Sequence, residues 1–251
     1  MAKVIIRTDQ EIADMREGGK VLAQCLKETA ALAKPGVSTL ELDQFAEKFL
    51  RAHGGTPSFK GYHGFPGTLC TNVNEVVVHG IPRSDEILQE GDLIAIDCGF
   101  FYKGLHTDST ILLALDPISP EKQKIIKAAE ETLSKAIDFI RPGIRVGDLS
   151  KVIEQTIRHH GYSPVEELTG HGVGRSLHEK PHIPNHYDGD GPIIQAGQTL
   201  AIEPIFATVS PQIHTLKDKW TIVTQDKSLS AQIEHTILVT ETGCENLTER
   251  D

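Results

Sequence analysis

Leu88–Asp97 reads LQEGDLIAID, and 106 residues later Ile194–Glu203 reads IQAGQTLAIE. Each stretch leads from a glycine-bearing turn into a short apolar strand that finishes on a carboxylate. The repetition runs on in both directions. Upstream, Lys34–Ser58 and Arg141–Val165 align without gaps at an offset of 107, with eight of 25 positions identical. KPGV against RPGI frames one end of that block, and HGGTP against HGYSP the other. Downstream, DSTILL (108–113) matches EHTILV (234–239) at an offset of 126, the extra length being a loop insertion. Three blocks recurring in one order imply two related halves, about 9–116 and 117–247, packed about an approximate two-fold axis.

Each half reads as helix, Pro-Gly turn, helix, strands. Apolar residues at three- and four-residue steps predict a helix over Asp9–Ala33, stopped by Lys34-Pro35-Gly36. Ser38 or Thr39 caps a second, Leu40–Ala52, and a third runs from Pro120 to Ile140. Between them Val76–His79, Leu93–Cys98 and Thr107–Leu113 read as strands. The expectation is an α+β chain forming a single domain over 1–251.

The 251 residues are 39% apolar and 24% charged, an ordinary globular balance that excludes disorder and coiled coil. A formal charge of −10 speaks against a dedicated nucleic-acid binder. Four cysteines without CxxC spacing read as reduced thiols and a cytosolic address. The start, MAKVIIRTDQEIADM, lacks the apolar core of a signal peptide, and no run approaches the ~20 residues of a membrane span.

The repeat also aligns acid with acid. Asp97 matches Glu203 at strand ends, and Asp108 matches Glu234 at strand starts. A carboxylate finishing a run such as LIAI is costly to bury unless a cation or a proton neutralises it. Four around one axis predict a metal centre, and paired carboxylates suit two ions sharing a water. His171, in a glycine-lined turn, supplies a candidate fifth ligand and aligns with His63 at an offset of 108. Oxygen donors with one imidazole suit Mn, Fe, Co or Zn without choosing among them.

Of the other histidines, His53, His159 and His160 sit at helix ends, and His235 follows Glu234 toward the opposite strand face. His106, His182, His186 and His214 read as surface or loop residues. His79 in VVVHGIP and His178 in GRSLHEKP differ. Each precedes a proline by three residues and lies between its half's glycine-flanked histidine and its first acid. They are placed to face a substrate from two sides, as donors or general acids.

YHGFP, NEVVVHGIP, IDCGFFYKGLHTDST, GHGVGR, HEKP, AIEP and KDKWTIVTQDKSLSAQIEHTILVT follow in order the pattern of type I methionine aminopeptidases. The resemblance covers about Thr8 to Leu247. It implies the pita-bread fold: pseudo-two-fold duplicated helix–strand halves around a central curved antiparallel sheet. It also implies a dinuclear centre on Asp97, Asp108, His171, Glu203 and Glu234, with the substrate's free amino terminus on the metal bearing Asp97. Glu203 is then the proton acceptor, His178 contacts the carbonyl oxygen of the departing methionine, and His79 contacts the scissile amide. The methionine pocket would be built from Phe59, Tyr62, His63 and Phe65, with Cys70, Leu177 and Trp220. Phe59 stands where the family often has Cys, and Leu177 where it often has Phe. Asn74, Val76 and Ser230 match a monovalent-cation site.

The implied reaction removes the initiator methionine ahead of a small second residue. The implied partners are nascent polypeptides, with a ribosome contact where they emerge, for a monomer that binds neither DNA nor membrane. Met1-Ala2 itself has the sequence of a substrate. Two other readings remain: a proline-directed peptidase of the aminopeptidase P or prolidase kind, and a non-catalytic binding protein of the same shape. Prolidase-like chains usually carry an added N-terminal domain, whereas here the first repeat helix begins by about residue 9. Type II relatives carry a long insertion in the second half that is not seen here.

Overall fold

The computed structural model describes residues 4–250, so Met1-Ala2 lies outside the described residues. Thr8 and Glu11 start α1 (Asp9–Leu32) by exchanging hydrogen bonds. The Thr8 hydroxyl accepts from the Glu11 N–H at 3.3 Å, and the Glu11 carboxylate accepts from the Thr8 N–H at 2.8 Å. Ser38 and Glu41 do the same for α2 (Thr39–Ala52). These reciprocal caps satisfy N–H groups that a helix start otherwise leaves unpaired. The first half continues with β1 (Thr56–Pro57), β2 (Leu69–Val73), β3 (Val76–Val78), β4 (Leu93–Tyr102) and β5 (Leu105–Ala114).

The second half opens with α3 (Pro120–Phe139), capped by Ser119 with proline in its first turn, and α4 (Val146–His159). β6 (Ser163–Pro164), β7 (Thr169–Gly172), β8 (Glu179–Pro184), β9 (Thr199–Ile202) and β10 (Ile205–Ala207) follow. An excursion through β11 (Ile213–Thr215), β12 (Ile222–Thr224) and β13 (Ser230–Gln232) leads to β14 (His235–Val239) and β15 (Cys244–Asn246).

Duplication is visible bond by bond. Gly36 and Gly143 end the Pro-Gly turns at φ +94° and +95°, a conformation that favours glycine. Their N–H groups donate to Leu88 O at 2.8 Å and Ile194 O at 2.9 Å. The turn before each central strand is held by its own side chain. Gln89 N–H donates to Asp92 Oδ2 at 2.8 Å, and Gln195 N–H donates to Gln198 Oε1 at 2.6 Å. In both halves a central strand, β4 or β9, lies antiparallel between two neighbours, β2 and β5 for one and β7 and β14 for the other, and the far end of β4 also pairs with the short β1. The halves meet where Thr110 bridges Glu234 antiparallel.

Alternation along β4 divides its faces. Ile94, Ile96 and Cys98 pack against α1 and α2, while Leu93 and Ala95 join the cluster built on α3, α4, β9 and β14. That second cluster therefore includes residues of both halves.

The predicted helices match to within one residue. Two predicted strands were too short. β4 runs through Gly99 because that glycine is a close approach and not a turn: a Cβ there would lie 2.6 Å from Ser58 Cβ. The chain reverses instead at Lys103-Gly104, both at positive φ, which suits a two-residue hairpin. Asp97 and Asp108 thus lie inside long strands, not at their ends. β2 was missed altogether, its LCTNV mixing polar and apolar residues.

Candidate metal centre

Strand register gathers the acids. Asp97 pairs with Cys70 on one side and Thr110 on the other, so Cys70, Asp97, Thr110 and, two residues away, Asp108 share one face. In the second half His171 pairs with Ala201, which pairs with Thr236. The register of β9 on β14 ends at Ile202 opposite His235, and Glu203 and Glu234 are the first residues beyond those paired ends. His171, Glu203 and Glu234 therefore share the corresponding face.

Donor atoms of Asp108, His171 and Glu234 all lie within 4.8 Å of one another, and all three residues are buried. Asp97 and Glu203 fall outside that tight group but line the same cavity of about 420 Å³, with Asp108 and His171. Glu234 sits behind the cavity wall, 1% exposed.

The electrostatics are those of a site short of positive charge. Burial pushes the Asp97 carboxyl up to about 7. Burial, reinforced by Asp97, pushes Glu203 up to about 8. Asp108 and Glu234 are also held well above the ordinary carboxylate range, by burial first and by neighbouring acids second. Asp97 Oδ1, Asp108 Oδ1 and Glu234 Oε1 are buried with no hydrogen-bond partner. Buried carboxylate oxygens normally find donors, so three unpartnered ones among these neighbouring acids fit divalent cations as the missing partners. Burial also pushes His171 down to about 3, which keeps its imidazole neutral as a ligand must be.

Several side chains absent from the sequence reading brace this set. Thr110 donates to Glu234 Oε2 at 3.0 Å. Gln232 donates to Glu203 Oε1 at 2.6 Å and accepts from Asn72 Nδ2 at 2.7 Å, while Asn72 Oδ1 accepts from the Gly80 N–H at 2.9 Å. That relay ties Glu203 to the backbone just after His79. Strand alternation was the available signal, because Thr110 and Gln232 are each two residues from an acid. From behind, Arg250 donates to Ser109 Oγ at 2.7 Å and Thr110 O at 3.1 Å.

His79 and His178 both line the cavity. His79 adopts φ +58°, a left-handed conformation that costs a non-glycine residue about 1–3 kcal/mol and recurs at functional sites. Burial pushes its imidazole down to about 4. His178 Nδ1 lies 3.0 Å from the Tyr62 hydroxyl, and its ring is 4.4 Å from that of His171. Phe59, Phe65, Cys70 and Leu177 form a small apolar cluster with Tyr62, Trp220 and Ile81, the last missed in the sequence. Trp220 meets the Phe65 ring edge-on at 5.2 Å. His63 lies at the exposed rim, 4.4 Å from the Tyr62 ring.

Two histidine expectations change. His171 belongs to β7 and is 6% exposed, not part of a flexible turn. His106 is no surface residue: Nδ1 lies 2.9 Å from Ser58 Oγ, and burial pushes its pKa down to about 4. His182 is exposed, as expected, and also lines the cavity. In the proposed monovalent site, Ser230 Oγ donates to Val76 O at 2.9 Å and lies 3.3 Å from Asn74 O.

A chain of two matched halves with buried carboxylates on their shared seam is a metallopeptidase architecture, and residues 13–241 match metallopeptidase family M24. The chain belongs to that family. Within it the chain sits with the methionine aminopeptidases. It is 44% identical to methionine aminopeptidase 1 of Bacillus subtilis over 98% of this chain and 99% of that one. The crystal structure of methionine aminopeptidase from Thermotoga maritima superposes with a TM-score of 0.97 at 37% identity, covering 99% and 100% of the two chains. Prolidase from Pyrococcus furiosus shares the fold alone, with a TM-score of 0.82 at 23% identity over 98% of this chain and 66% of that one.

Proposed function

We propose that this chain removes N-terminal methionine from polypeptides with a small second residue, at one catalytic unit that spans 1–251 and is built by its two halves. The observation that carries this reading is that carboxylates of both halves, Asp97, Asp108 and Glu203, line one cavity with an apolar, aromatic- and thiol-lined end, and that the buried Asp97 Oδ1 and Asp108 Oδ1 have no hydrogen-bond partner there. The shared core cluster supports treating the halves as one unit.

Asp97, Asp108, His171, Glu203 and Glu234 would hold two divalent ions, of Mn, Fe, Co or Zn. Such ions supply Lewis acidity, making water acidic enough to be a nucleophile near neutral pH. Methionine enters the end lined by Phe59, Tyr62, Phe65, Cys70, Leu177 and Trp220, where soft and aromatic walls suit a thioether; His63 covers the rim. Glu203 accepts the proton of the attacking water at a carboxylate oxygen. His178 donates to the methionine carbonyl oxygen as it gains negative charge. His79, on the far side, contacts the scissile amide and its departing nitrogen. The products are methionine and a polypeptide shortened by one residue, with one water consumed.

The oxygens of Asn74, Val76 and Ser230 are assigned to a monovalent cation outside the catalytic set. A monomer acting in the cytosol on chains emerging from the ribosome fits the four free thiols. No helix among the described residues is long and apolar enough to cross a membrane. Met-Ala-Ser and its N-acetylated form test the terminal requirement. The free peptide should release methionine and the acetylated one should not, whereas equal cleavage of both would refute an aminopeptidase.

A further inference from the structure

Arg7 lies just before α1 and is 4% exposed. Its N–H donates to Gly197 O at 2.8 Å, fastening it to the turn before β9. The guanidinium then serves three partners. Nε donates to Thr199 Oγ1 at 2.9 Å, Nη2 donates to Val173 O at 2.9 Å, and Nη2 also pairs with the Glu179 carboxylate. The other Glu179 oxygen accepts from the Ser176 N–H at 3.0 Å. One buried cation thus grips both ends of the segment from Val173 to Glu179, and its partner carboxylate grips the middle.

Metal ligation does not explain the last glycine of the GHGVGR motif. Arg7 does: a Cβ on Gly174 would lie 2.3 Å from the Arg7 Cζ, so the missing side chain is the gap that the guanidinium fills. The segment so fastened delivers Leu177 to the pocket wall and His178 to the cavity.

We propose that Arg7, through Glu179, is a positioning residue for His178. The proposal rests on the role given to His178 above. A planar fork with fixed donor directions sets the segment in one place, which a lysine ammonium cannot do for three acceptors. Removing Arg7 alone would strand the Glu179 charge in the interior, so the informative variant removes both charges together.

The test uses the zinc-loaded, full-length protein and the Arg7→Met/Glu179→Gln double variant. Histidine ring ¹H–¹⁵N spectra are recorded for both, with the His178 signals assigned from His178→Ala. The expected result is a shift or broadening of the His178 signals while those of His53 and His214 stay in place. On Met-Ala-Ser, kcat should fall on the order of 10- to 100-fold at retained metal content. His178→Ala in the double variant should then add little further loss. His178 signals that stay in place while only the melting temperature drops would overturn the proposal. Displaced signals with an unchanged kcat would uphold it, and would refute instead the assignment of His178 to the carbonyl oxygen. Should the double variant not fold, Arg7→Lys keeps the charge, loses the fork and carries the same spectroscopic readout.

Discussion

The Thr110 hydroxyl donates to Glu234 Oε2 at 3.0 Å, across the seam where the two halves bridge backbone to backbone. Its counterpart in the repeat, Thr236, reaches back the other way: Thr236 Oγ1 donates to Asp108 O at 2.7 Å and accepts from the Asp108 N–H at 2.9 Å. Each half's threonine therefore steadies the other half's acid.

Thr110→Val removes one hydrogen bond to Glu234 at nearly constant volume. Loss of a bond that orients a ligand lowers metal affinity by about 10- to 100-fold, and this variant should fall in that range. Isothermal titration with Mn or Co measures it. An affinity equal to that of the unaltered protein would remove Thr110 from the supporting set.

Asp108→Asn takes a carboxylate out of the tight cluster with His171 and Glu234. The folded variant should emerge from gel filtration with fewer metal ions per chain than the parent. Equal metal content in the two would mean that Asp108 is not a ligand.

Stability should depend on pH differently with and without metal. Asp97 and Glu203 are held up at about 7 and about 8, above their ordinary values. A group with a raised folded-state pKa binds more protons folded than unfolded, so it favours the fold at low pH. That contribution fades as pH climbs from about 4 through about 8. Divalent metal at the proposed site would displace these protons, and its binding would strengthen over the same window. The gap in melting temperature between metal-loaded and chelated protein should therefore widen from pH 5 to pH 8. A gap that narrows over that range would contradict the assignment.

His79→Ala should slow turnover by about 10²- to 10⁴-fold, the usual contribution of a proton-donating side chain, with metal content near normal. It should also relieve the local strain of φ +58° little, because the backbone conformation is imposed by neighbours. Gly80 follows it so closely packed that a Cβ would lie 2.2 Å from Thr71 O. Loss of metal from the His79→Ala protein would show that its role is structural.

Much of this was legible beforehand because duplication is written in residue identities. The acids matched acid for acid, and Pro-Gly turns, caps and helices followed local chemistry that needs no tertiary context. What escaped depends on the partner across a strand. Gly99 looks like a strand stop until Ser58 is seen against it. His106 reads as a surface histidine until its contact with Ser58 Oγ is known. Thr110, Gln232 and Asn72 have no unusual chemistry in sequence, and only register places them against Glu234 and Glu203. Arg7 is the extreme case, joined to Glu179 across 172 residues.

The central claim, that the two halves together form a metal site for terminal methionine, is tested most directly by titrating Mn, Fe, Co or Zn into the chelated protein. Bound metal is counted while Met-Ala-Ser, Leu-Ala-Ser and Ala-Pro-Ala are offered as substrates. The account predicts binding that saturates at two ions per chain, with free methionine appearing from Met-Ala-Ser as metal is added and the other two peptides left largely intact. Preferential cleavage of Ala-Pro-Ala, or no methionine release with any of the four metals, would contradict it.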